Sequence, residues 1–123
     1  MIYLLIALGG AAGAVSRYAV DDSMSRWFGD TFPLGTLVIN LTGSFVLGVL
    51  FALVVDRSAL PSDIRAPVMI GFIGAYTTFS TWMLESARLM EGDQWLLAAV
   101  NLGGSVMLGL VAVFAGLAVG RAL

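Results

Sequence analysis

Residues 66–84 read APVMIGFIGAYTTFSTWML, nineteen positions without a charged side chain between Arg65 and Glu85. At a rise of about 1.5 Å per residue, a helix of this length crosses the hydrocarbon core of a bilayer. Its polar members cluster near its middle, where Gly74 precedes the hydroxyl-rich run at residues 77–81. Because unsatisfied polar groups are most costly at that depth, this segment is the most informative part of the chain.

The residues at this centre favour an interrupted helix over a continuous one. Glycine, serine and threonine have weak helix propensity, and the hydroxyls compete for backbone hydrogen bonds. The alternative is an intact helix in which each hydroxyl bonds a carbonyl one turn earlier. A break would free carbonyl oxygens that suit a hard cation, beside hydroxyl and amide donors that suit an anion.

Three further uncharged stretches surround this segment, at residues 1–16, 31–55 and 94–120. A bilayer core of about 30 Å needs roughly 20 apolar residues, and residues 17–20 complete the first stretch to that length. The pattern therefore predicts four membrane-spanning helices, at about residues 2–20, 36–55, 65–89 and 94–121.

The first stretch has a second interpretation, a cleaved signal peptide, which would begin with positive charge. Tyr3 and Tyr18 instead stand near its two ends, where aromatic rings favour the membrane interface. Residues 21–33 and 58–63 are predicted to be connections. We expect residues 1–123 to form a single transmembrane domain.

The composition argues against soluble enzymes and nucleic-acid-binding proteins. Charged residues make up 11% of the chain, against about 25% in soluble domains. Histidine, cysteine and lysine are absent, so the chain offers no histidine base and no thiol nucleophile. The net charge of −2 lacks the basic surface that a nucleic acid requires. We expect neither an enzyme nor a nucleic-acid partner.

The arginines do not select an orientation in the membrane. Either another cue orients the chain, or it inserts both ways and assembles in antiparallel pairs. Three arginines are predicted on each face: Arg57, Arg65 and Arg121 on one, and Arg17, Arg26 and Arg88 on the other.

Small residues at four-residue spacing predict close contacts between helices. Lipid provides no hydrophobic force between helices, so close main-chain approach is the available attraction. Such pairs occur on three of the predicted spans: Gly9 with Gly13, Ser44 with Gly48, Ser105 with Gly109, and Gly116 with Gly120.

Polar and aromatic side chains within the spans have a structural and a functional interpretation. Asn40, and Asn101 with Ser105 on one helix face, can each form interhelical hydrogen bonds or line an ion path. Phe79 and Trp82 are ordinary packing residues by default, although their ring edges are positive and can face an anion.

Two charged residues lie at the edges of spans. Arg17 can snorkel to the headgroups or pair with Asp21 one turn later, and Glu85 can be interfacial. A small dual-topology, proton-coupled drug exporter would need a carboxylate deep within a span, which is missing here. A structural membrane protein without transport would not need Asn40 or the hydroxyl run at depth.

Together these residues resemble the Fluc/CrcB fluoride-channel family. The matching segments are residues 13–18, 35–40 with 43–45, and 71–74 leading into 77–81, and they cover essentially the whole chain. The resemblance implies an all-α membrane protein with four transmembrane helices per subunit. It also implies that the third helix is broken near the bilayer midplane and that two subunits form an antiparallel, dual-topology homodimer.

The resemblance further implies a function, a fluoride-selective channel that passively exports fluoride across the inner or plasma membrane through two antiparallel pores. The implied partners are fluoride, sodium, the lipid bilayer and a second copy of the chain. The implied fluoride pathway uses Asn40, Phe79 and Trp82, with the hydroxyls of Thr36 and Ser105, Arg17 near an entrance and Glu85 beside the pore.

A structural sodium ion at the dimer centre is also implied, held by main-chain oxygens of Gly74 and Thr77 from each subunit. The chain departs from the family pattern at three positions. Trp82 replaces a pore phenylalanine, Asn101 stands where relatives have tyrosine, and Gly109 stands where a hydroxyl can occur.

Overall fold

The computed structural model describes every residue from Met1 to Leu123, and all of its regular secondary structure is helical, as predicted. Three helices are long and apolar enough to cross a membrane, and two shorter ones divide the span predicted at residues 65–89 between them. The five helices are α1 (Ile2–Phe28), α2 (Leu34–Asp56), α3 (Arg65–Ile73 continued by Gly74–Tyr76), α4 (Ser80–Glu91) and α5 (Trp95–Ala122).

Parts of three helices are wound more widely than an α-helix. Ala52–Asp56 in α2, Arg65–Ile73 in α3 and Val100–Gly104 in α5 are π-helical, and a 3₁₀ turn at Ser62–Ile64 leads into α3. Such windings interrupt the regular hydrogen-bond pattern and are frequent near functional sites. The ends of α2 and α5 lie within two residues of their predicted positions.

α1 is longer than predicted, and the expected connection from residue 21 was wrong. The helix continues to Phe28, supported by an ion pair of 2.7 Å between Arg26 Nη2 and Asp22 Oδ2 one turn apart. It stops at Gly29, whose φ of 75° is a left-handed conformation that favours glycine. Its 27 residues extend about 40 Å, so its charged last turns project beyond a core of about 30 Å.

Glycines bring α1 into main-chain contact with α3. A side chain at Gly9 would collide with the Pro67 carbonyl, and one at Gly13 would collide with the Phe72 carbonyl. This confirms the helix contact predicted from their spacing and makes the first apolar stretch an integral part of the fold.

A second glycine contact joins α2 to α5. A side chain at Gly48 would meet the main chain of α5, and side chains at Gly116 and Gly120 would meet the main chain of α2. Gly109 has no neighbour within 4 Å, so the contact predicted for its pair with Ser105 is not made within the subunit.

The buried core is small, and much of the outer surface is apolar. Six hydrophobic residues are buried, whereas large side chains such as Leu8, Met107 and Phe114 are well exposed on α1 and α5. Surfaces of this kind are covered by lipid or by other helices. The fold is therefore that of an all-helical membrane protein.

Candidate ion pathway at the helix break

The predicted interruption of the third span is confirmed. α3 ends at Tyr76, Thr77 is extended with ψ of 156°, and α4 begins at Ser80. The main-chain carbonyls of residues 74–77 accept no hydrogen bond, because no helical turn follows to supply donors. On the other side, Thr78 Oγ1 accepts the Thr81 N–H at 3.4 Å.

The break brings together two helix ends of opposite character. The carbonyl end of α3 carries a partial negative charge, and the N–H end of α4 carries a partial positive charge. The first environment suits a cation and the second suits an anion. One interruption thus provides both kinds of site within a few residues.

The side chain of Asn40 links the break between α3 and α4 to α2 through two hydrogen bonds. Its Nδ2 donates to the Thr78 carbonyl at 3.0 Å, and its Oδ1 accepts the Thr78 N–H at 2.9 Å. This carboxamide pair replaces the helical bonds that a non-helical residue loses. A second N–H of Nδ2 is left over, because a carboxamide nitrogen carries two hydrogens. The residue was predicted from its depth, but its bond to Thr78 was not.

Two other residues of α2 support the break, and the sequence analysis gave neither of them a role at the site. The Thr42 and Tyr76 hydroxyls lie 2.9 Å apart, and a side chain at Gly43 would collide with the methyl group of Thr77. Their position within one turn of Asn40 was the available signal. Residues 40–43 of α2 therefore support the interrupted backbone through hydrogen bonds and close packing.

An open groove of about 480 Å³ lies beside residues 40–43, between α2, α4 and α5. The rings of Phe79 and Trp82 meet edge to face there, with centroids 5.6 Å apart and planes at 75°. Phe79 is 69% exposed. The groove brings together five predicted site residues: Asn40, Thr77, Phe79, Trp82 and Ser105.

Thr36 and Glu85 lie outside the groove and contact each other. The Thr36 hydroxyl, 2% exposed, donates to Glu85 Oε1 at 2.7 Å, while Glu85 Oε2 is buried without a partner. Glu85 also lines a second cavity, of about 510 Å³, under the connection between α1 and α2.

Arg17 and Gly74 do not line either of these cavities. Arg17 is half-buried on α1 and forms no ion pair, so the alternative pairing with Asp21 is not made. Gly74 contributes an unbonded carbonyl to the break. The structure contains no group of three or more acidic, histidine or cysteine side chains that could hold a metal ion.

An all-helical membrane protein with an interrupted helix beside an open groove belongs to a class in which irregular backbone lines a cavity. The family model described as CrcB-like protein, Camphor Resistance (CrcB), matches residues 4–117. The chain belongs to the CrcB family.

Several relatives are similar over nearly the whole chain, each named Fluoride-specific ion channel FluC. The protein from Magnetococcus marinus is 47% identical, with 94% of both chains covered. The protein from Maridesulfovibrio salexigens is 44% identical, with 97% of this chain and 94% of the relative covered. The protein from Methylococcus capsulatus is 49% identical, with 96% of this chain but 52% of the relative covered.

Proposed function

We propose that this chain is a fluoride-selective ion channel that passively exports fluoride across the inner or plasma membrane. The family and the names of the relatives support fluoride as the transported ion. The structural observation that carries the proposal is the broken helix, fastened by Asn40 beside a groove of hydrogen-bond donors and aromatic edges.

The groove suits a small anion that must leave as readily as it enters. Fluoride is tightly hydrated, so a selective path has to replace its water with donors without trapping the ion. No charged side chain lines the groove. The remaining N–H of Asn40 and the ring edges of Phe79 and Trp82 provide weak contacts in series. The Ser105 hydroxyl lies buried in the wall of the groove without a hydrogen-bond partner, so its donor is not committed to another group.

Three further residues are proposed to act outside the groove. Arg17 lies near an entrance and raises the local concentration of anions. Thr36 and Glu85 form a hydrogen-bonded pair beside the pore, joining α2 to α4. Their bond supports the wall of the pathway at the middle of α4.

The second part of the proposal is an antiparallel, dual-topology homodimer with four membrane crossings per subunit and two pores. The unbonded carbonyls of Gly74 and Thr77 fit a structural sodium ion at the dimer centre, since they are hard oxygen donors at the negative end of α3. A cation bound there supplies positive charge that favours anions at the midplane.

Fluoride release from proteoliposomes, followed with a fluoride electrode, tests the function. We expect rapid release when the membrane potential is dissipated, no matching release of chloride, and no dependence on a proton gradient. Release that requires a proton gradient would indicate an exporter, and no release above protein-free liposomes would indicate a structural role. Labelling of single cysteines introduced at both ends of α5 tests dual topology independently, because a one-way orientation would label only one end from outside.

A further inference from the structure

A closed hydrogen-bond network lies between α4 and α5 beside the groove. The Trp82 indole N–H donates to the main-chain carbonyl of Asn101 at 3.0 Å. The Asn101 side-chain Nδ2 donates to Ser86 Oγ at 2.9 Å, and Ser86 Oγ donates back to the Trp82 carbonyl at 2.8 Å. Each of the three residues therefore bonds both of the others.

The Asn101 and Ser86 members of this network are buried, whereas Trp82 is half-buried and lines the groove. Asn101 Oδ1 is also buried and accepts no hydrogen bond. Asn101 is 1% exposed and Ser86 is 2% exposed. In so dry an environment hydrogen bonds are strong, and removing one partner leaves the others buried and unsatisfied. The indole bond to the Asn101 main chain holds the Trp82 ring directly. The bond from the Asn101 amide to Ser86 fixes Asn101, and with it that carbonyl, against α4.

The orientation of Trp82 determines what the groove presents to an anion. Its only side-chain donor is occupied by Asn101, so the indole N–H is not free to bind an ion. What remains in the groove is the ring, set edge to face against Phe79. A released indole could turn its N–H into the groove, where a strong donor would hold anions and narrow the passage.

We propose that Asn101 and Ser86 are positioning residues for Trp82, which keep its N–H out of the anion pathway and its ring beside Phe79. The proposal rests on the proposed channel function but concerns residues that the pathway itself does not use. It predicts that Ser86 affects conduction only through Trp82.

Ser86→Ala tests this, because it leaves both the Asn101 amide and the Trp82 carbonyl without their partner. We expect fluoride release to slow about fivefold or more, because two interior hydrogen bonds are lost and each is worth about 1 kcal/mol, and the preference for fluoride over chloride to fall. In a Trp82→Phe background, which has no indole N–H, Ser86→Ala should have no further effect. Equal slowing in both backgrounds would overturn the proposal.

Ser23→Ala is the matched control. Ser23 Oγ donates to the Ala19 carbonyl at 2.7 Å, the same bond across one helical turn that Ser86 makes, but at a partly exposed site on α1. This variant should release fluoride at the parental rate. Ser86→Cys, which is similar in size and a weaker donor, should fall between parent and Ser86→Ala.

A spectroscopic test does not depend on conduction. Replacing Trp27 and Trp95 by phenylalanine leaves Trp82 as the only tryptophan, which can then be labelled as 5-fluorotryptophan. We expect one narrow ¹⁹F resonance that shifts or broadens with Ser86→Ala and with Ser86→Cys. An unchanged resonance would overturn the positioning role, whereas a parent that releases no fluoride would overturn only the proposed function.

Discussion

The two halves of the interrupted span are held in place by different forces. α3 lies along α1, and the absence of side chains at Gly13 and Gly71 allows their main chains to touch. α4 instead lies against α5 and α2, where side-chain hydrogen bonds from Thr36 and to Asn101 hold it.

This difference indicates that α3 and α4 have different roles. Where two main chains touch, there is no space for a larger side chain, so we interpret α3 as the rigid half of the interrupted span. Hydrogen-bonded side chains can be replaced one at a time without refilling a core, so we expect α4 to be the half in which the proposed pathway is adjustable. We therefore expect changes around α3 to affect assembly and changes around α4 to affect conduction.

The largest effect is expected from Gly13→Leu, at the contact between α1 and α3. The added side chain collides with the Phe72 carbonyl, and overpacking of this kind costs about 3 kcal/mol or more when the main chain must move. Size-exclusion chromatography should show loss of folded protein. Gly103→Leu, at a position with no neighbour within 4 Å, is the control and should remain folded. If both variants behave alike, main-chain contact does not hold α3.

Asn40→Asp should have the next largest effect, at the junction of the two halves. The change replaces the donor to the Thr78 carbonyl by an acceptor and adds negative charge beside the groove. Repulsion between this carboxylate and a passing fluoride should raise the barrier by about 3 kcal/mol, so fluoride release should slow about 100-fold. Normal elution on size exclusion is expected, and release at the parental rate would remove Asn40 from the pathway.

Phe79→Ile should slow fluoride release about tenfold, because it removes an aromatic ring that packs edge to face with Trp82 in the groove. Assembly should be unaffected, since the side chain is 69% exposed within the subunit. Phe28→Ile, at the exposed end of α1, is the control for loss of an aromatic ring. Equal rates in the two variants would show that Phe79 is a packing residue.

Thr36→Val should have the smallest effect. It removes the donor to Glu85 at nearly constant volume, and the lost hydrogen bond should lower the free energy of unfolding by about 1–2 kcal/mol. Fluoride release should slow by about threefold to fivefold. Thr36→Ser keeps the hydroxyl and should restore both stability and rate; if it behaves like Thr36→Val, packing rather than the bond to Glu85 is responsible.

Local composition was sufficient to predict the elements of this fold. Uncharged stretches placed α2 and α5 within two residues of their ends, and the threonine-rich run predicted the break between Tyr76 and Ser80. The end of α1 was predicted wrongly. Charged residues indicate the end of a membrane-spanning segment, but an ion pair one turn apart also stabilises a helix, so α1 continues past the first charges to Phe28.

The sequence by itself determined that polar groups at depth must find partners, since leaving them unsatisfied in lipid is costly. Only the tertiary structure decided which partners they found. Asn40 bonds Thr78, and the Trp82 indole bonds the main chain of Asn101 rather than facing the groove. The cost of an unpaired group is a property of the residue and its depth, whereas the choice of partner depends on how distant segments pack.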